Sequence, residues 1–80
     1  MIVYCIRVVE TEDGEKLAFT ECNMARDIGE MESMMIDWLS KCFNYKAPRN
    51  ESDRPYWHQS RVMEWAKSHN LELEYHFNFI

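Results

Sequence analysis

The chain has 80 residues, 46% of them apolar and 14% aromatic, and a net charge of −5. One small domain with a packed core fits these figures, and an intrinsically disordered chain does not. No apolar run approaches the roughly 18 residues of a membrane-crossing helix, and the first residues lack a secretory pattern.

Residues 2–9 (IVYCIRVV) are β-branched and aromatic and predict a strand. Apolar residues on both of its faces place it centrally in a sheet. Asp13-Gly14 is a strong hairpin signal, because both residues tolerate positive φ. A two-residue turn there pairs Val8 with Phe19 and Cys5 with Cys22. It gathers Ile2, Tyr4, Ile6, Val8, Leu17 and Phe19 on one face. A bulged turn shifts the pairing by one and opposes Val9 to Leu17. We favour the two-residue turn.

Residues 24–43 (MARDIGEMESMMIDWLSKCF) form the longest periodic stretch. Met24, Ile28, Met31, Met35, Trp38 and Cys42 recur at steps of three and four, which predicts a helix capped by Asn23. Met34, Ile36, Leu39 and Phe43 widen its apolar arc beyond the usual ~100°. Residues 44–55 hold both prolines and form the one linker. A second helix is expected over 55–69, with Asp53 as N-cap, Pro55 just inside and Asn70 as C-cap. Residues 71–80 (LELEYHFNFI) alternate strictly and predict a half-buried strand.

The predicted architecture is a two-layer α+β fold of order ββααβ. Its three-stranded mixed sheet has strand order 2-1-3, with two antiparallel helices on one face. The last strand is expected parallel to the first, both helices following a right-handed crossover.

Charge is uneven. Residues 1–40 carry nine acids and three bases, a balance of −6, and residues 41–80 carry five acids and six bases, a balance of +1. Glu10, Glu12, Asp13 and Glu15 crowd the hairpin tip, while Asp27, Glu30 and Asp37 lie along the first helix. Carboxylates spaced on a rigid surface can occupy a groove that a basic protein keeps for phosphates. Any excess apolar arc would leave Met34, Ile36 and Leu39 as a contact patch or a homodimer face. An alternative site is basic and aromatic: Tyr45, Lys46, Arg49, Arg54, Trp57 and Arg61 could grip a single strand by phosphate contact and stacking. The acidic balance and Glu51 and Asp53 in the same loop argue against direct nucleic-acid binding.

No catalytic or metal-binding motif is present. His58 and His69 lie about 16 Å apart along one helix and cannot share an ion. Cys42 falls mid-stripe, where burial would make it inert. Cys5, Cys22 and Cys42 are widely spaced and expected as reduced thiols, with no Cys5–Cys22 bridge expected in a reducing compartment. Neither a metal nor another cofactor is expected.

In size, acidity and compactness the chain is similar to the small proteins with which phages and mobile elements disable host machinery. That resemblance implies a cytoplasmic, non-enzymatic inhibitor of a larger protein or ribonucleoprotein, of anti-CRISPR or anti-restriction type. The alternatives are a small RNA- or single-strand-binding module and a homo-oligomeric regulatory subunit.

Overall fold

The computed structural model describes all 80 residues. Its elements follow the order β1 (Ile2–Glu12), β2 (Glu15–Ala25), α1 (Ile28–Phe43), α2 (Gln59–Ser68) and β3 (Leu71–Phe79). The sheet order is β2-β1-β3, as the hydropathy pattern implies. The two-residue turn also holds: Asp13 and Gly14 both take positive φ, 52° and 81°, and Val8 pairs with Phe19 and Cys5 with Cys22.

The sheet is not mixed. β3 runs antiparallel to β1, from Glu10 opposite Leu71 to Ile2 opposite Phe79. The helix directions explain this. α1 leaves the Ala25 end of β2, and its last residue, Phe43, meets Phe19 edge-on at 5.5 Å. It therefore climbs toward the hairpin end. At the start of α2, Gln59 accepts a 2.6 Å hydrogen bond from the Tyr75 hydroxyl, and the chain re-enters the sheet at Leu71, also at the hairpin end. The helices thus run the same way rather than antiparallel, and β3 must descend. The linker is long enough to carry the chain back between them.

That linker is ordered by Asn50. Its side-chain oxygen accepts the N–H groups of Ser52 and Arg54, its N–H donates to the Arg54 carbonyl, and its own carbonyl accepts from Asp53 N–H. Arg49 and Pro55 form an antiparallel bridge across this turn. Asp53 occupies the left-handed region at φ 57°, so it closes the turn instead of capping a helix. α2 starts later than expected, at Gln59. His58 is its N-cap, with Nδ1 accepting from Arg61 N–H.

α1 also starts later, because β2 runs on through Asn23 and Met24 to Ala25. Asp27 is the N-cap, accepting from Glu30 N–H at 2.8 Å. Glu30 answers by accepting from Arg26 N–H and, at 2.6 Å, from the Arg26 guanidinium. These bonds favour the charged form and hold the Glu30 carboxyl below the usual range. A depressed folded pKa stabilises at neutral pH, and that contribution is lost as pH falls through the folded value. Asp27→Ala is expected to cost about 1 kcal/mol of unfolding free energy, measured by urea titration at neutral pH. At the other end Asn44 is left-handed at φ 58°, and the N–H groups of Asn44 and Tyr45 close onto Ser40 and Leu39 carbonyls.

One face of β1 is fully covered. Ile2, Tyr4, Ile6 and Val8 are buried in a single cluster with Met31, Met35 and Leu39 of α1, Tyr45 of the linker and Val62 of α2. On the opposite face Val3 and Arg7 are exposed and Cys5 is half-buried. No helix is long and apolar enough to cross a membrane.

Candidate interaction surface

The hairpin is the part of the sheet that reaches furthest. β3 pairs with β1 only as far as Glu10, whereas β1 and β2 continue pairing to Glu12 and Glu15. The tip therefore projects with strand partners on one side only. Gly14 at φ 81° makes the reversal without steric cost.

Glu12 and Glu15 stand directly opposite each other in the closing pair. Like charges across an antiparallel pair repel. The ion pairs in the molecule are Arg7–Glu74, Arg26–Glu30, Lys41–Asp37 and Arg49–Asp53, so none neutralises Glu10, Glu12, Asp13 or Glu15. Glu72 joins this end, since it sits opposite Val9. The sequence pattern alone does not reveal Glu72, because only the antiparallel register brings the start of β3 beside the end of β1.

The seven predicted acidic residues thus divide. Glu10, Glu12, Asp13 and Glu15 come together. Asp27, Glu30 and Asp37 do not join them. Asp27 and Glu30 begin α1 near Ala25, which pairs with Ile2. That is ten residues of strand, about 34 Å, from Glu12. Their carboxylates are also engaged: Asp27 in the cap, Glu30 by Arg26, and Asp37 by Lys41 at 2.8 Å.

The apolar contact patch is absent. Ile36 and Leu39 are buried, at 6% and 0% exposure, and Met34 is half-buried against the core. The sheet and linker consume the wide arc. Exposed apolar residues lie instead along β2 at Leu17 and Phe19, at Tyr56 of the linker, and at the end of the sheet away from the hairpin, where Met1, Val3, Met24, Ile28, Phe79 and Ile80 are found.

The basic–aromatic site loses its aromatics. Tyr45 is buried with its ring 4.7 Å from Trp65, and burial pushes its hydroxyl pKa up. Trp57 packs edge-on to Tyr75 at 5.2 Å and donates to Gln59. Arg49 folds back onto the Asp53 carbonyl at 2.8 Å. Lys46, Arg54 and Arg61 remain exposed, with Tyr56 the one exposed aromatic ring of the linker beside them.

Two cysteine expectations are also corrected. Cys5 and Cys22 form a disulfide, their Cα atoms 4.1 Å apart across the strand pair. Non-hydrogen-bonded pairs bring strands close enough for such a bridge. Cys42 is an exposed free thiol rather than a buried one: it shares the helix side of Met35 and Leu39 but stands in the last turn of α1, beyond the buried residues.

No group of three His, Cys, Asp or Glu side chains converges as a metal site would require. The depressions are open grooves. One of about 550 Å³ lies between Lys46, Arg61, Glu64 and Trp65. Another of about 460 Å³ contains Asp37 and Arg49, both held in ion pairs.

The fold is a small antiparallel α+β sandwich of one sheet and one helical layer, and four carboxylates crowd its hairpin tip beside the single base Lys16. No protein-family model matches the chain, and neither a curated protein nor a solved structure shows significant similarity to it.

Proposed function

We propose that this chain is a non-enzymatic inhibitor that acts by binding a basic, nucleic-acid-handling protein or ribonucleoprotein of the kind blocked by anti-CRISPR and anti-restriction proteins. The carrying observation is the Glu12–Glu15 pair, free of any ion pair, at a projecting tip, with Glu10 and Asp13 next to it in the chain. Folding gains nothing from opposing two carboxylates there. A cationic groove would relieve the repulsion and would attract the tip from a distance, as it attracts phosphates.

This reading makes stability and binding move in opposite directions. Glu15→Lys converts a repulsive cross-strand pair into an attractive one. It is expected to raise unfolding free energy by up to about 1 kcal/mol. The same change, combined with Glu12→Lys and Asp13→Lys, should abolish retention of the partner on immobilised protein. Retention by wild-type protein should fall steeply with salt and compete with added duplex DNA or RNA. Retention indifferent to salt and to charge reversal would remove the hairpin from the mechanism.

A further inference from the structure

We propose that the free edge of β3 pairs with the same edge of a second copy, joining two sheets into one of six strands. The sense of the ladder is fixed by one bond, from Ile80 N–H to the Met1 carbonyl at 3.0 Å. In an antiparallel strand, successive residues direct their backbone groups to opposite sides. Residues 72, 74, 76 and 78 therefore bond toward β1. Leu71, Leu73, Tyr75, Phe77 and Phe79 turn their N–H and C=O groups outward, where the sheet ends.

Natural proteins usually blunt such an edge with charged side chains, lysine above all, with proline, a bulge or short length, or by covering it. β3 carries Glu72 and Glu74 but no lysine, proline or bulge. It is nine residues long, contains no Lys, Pro or Gly, and pairs with β1 without a slip from Leu71 to Phe79.

The strand is also complementary to its own reverse about Tyr75. An antiparallel copy centred there opposes Leu73 to Phe77 and Leu71 to Phe79 on the helix side. On the open side it opposes Glu74 to His76 and Glu72 to Asn78. Every outward donor and acceptor in β3 then has a partner. Arg7 already meets Glu74 at 3.5 Å. The joined row would run from Arg7 to Glu74 to His76 of the second copy, so an acid lies between a base and an imidazole donor. Phe79, 69% exposed in the single chain, would gain Leu71 of the second copy as a neighbour. The β2 edge offers no such match. Reversed about Thr20, it opposes Lys16 to Met24 and Glu21 to Phe19.

This association uses the edge opposite β2 and does not depend on the acidic hairpin. Amide hydrogen exchange tests it directly when combined with light scattering from about 1 µM to about 1 mM protein. Mass is expected to rise from one copy to two across this range. In step with it, the amides of Leu73, Tyr75 and Phe77 should pass from fast exchange to protection. Those of Glu72, Glu74, His76 and Asn78 should be protected throughout. Glu74→Lys should weaken association about tenfold, and exchanging the pair as Glu74→His with His76→Glu should restore it. Mass of one copy at every concentration would overturn the proposal. So would a dimer whose Leu73, Tyr75 and Phe77 amides still exchange fast.

Discussion

Leu39→Ala is expected to lower the unfolding free energy by about 3 kcal/mol, within the range for leucine truncation in a core. Leu39 has no exposed surface and lies in the one cluster that joins sheet, α1, linker and α2. It also stands at the C-terminal end of α1, where its carbonyl accepts the Tyr45 N–H. The site cannot collapse easily, because a strand lies on one side and a capped helix end on the other. A domain of this size has about 4–12 kcal/mol of stability in all. The loss should therefore appear as a fall in Tm of at least about 10 °C by thermal circular dichroism. A shift of only a degree or two would mean that Met35 and Tyr45 relax into the vacated space. The same truncation at Met34, which is half-buried, should cost clearly less.

The second large effect concerns Cys5–Cys22. The bridge closes a loop with sequence separation 17. Cross-linking a loop of that length is worth about 3 kcal/mol, through the conformational freedom it removes from the unfolded chain. Urea titrations with and without a thiol reductant should differ by that amount, and Cys5→Ala with Cys22→Ala should reproduce the reduced protein. Unchanged unfolding on reduction would mean that the Asp13-Gly14 turn already confines the unfolded hairpin. The comparison is simplified because Cys42 is the single remaining thiol and lies in α1, on the opposite side of the sheet from the bridge.

The legible parts of the fold were those set by local chemistry. Asp13-Gly14 fixes a turn type by backbone sterics, and the turn fixes the whole β1–β2 register. The alternation of 71–79 fixes a strand and its buried face. Strand order followed because β1 is apolar on both sides. The direction of β3 was not legible, since it depends on the path of the linker. That path is set by Asn50 serving three neighbours in the turn and by Asp53 in a left-handed conformation, which composition does not announce. The helix starts were misplaced for a related reason. Asn23 and Asp53 have capping chemistry, but the first is held by pairing with Tyr4 and the second by the turn.

The candidate surface was half legible. The crowding of Glu10, Glu12, Asp13 and Glu15 is a matter of sequence proximity around a readable turn. The withdrawal of Glu30 and Asp37 into i,i+4 pairs with Arg26 and Lys41 is also a spacing that can be read. The contribution of Glu72 could come only from the cross-strand register. The fate of Tyr45 and Trp57 could come only from packing, because an aromatic beside a base looks the same whether it stacks on a nucleotide or on a neighbouring helix.

The bond between Ile80 N–H and the Met1 carbonyl brings the two ends of this polypeptide together on adjacent strands. A short peptide could join them, and the backbone could be opened instead at the exposed Asp13-Gly14 turn, giving a circular permutant with the same strand order. Connectivity would then be rewired while the layers stayed as they are. A label or fusion attached to either present terminus would sit beside the exposed apolar end, a full strand length away from the acidic tip.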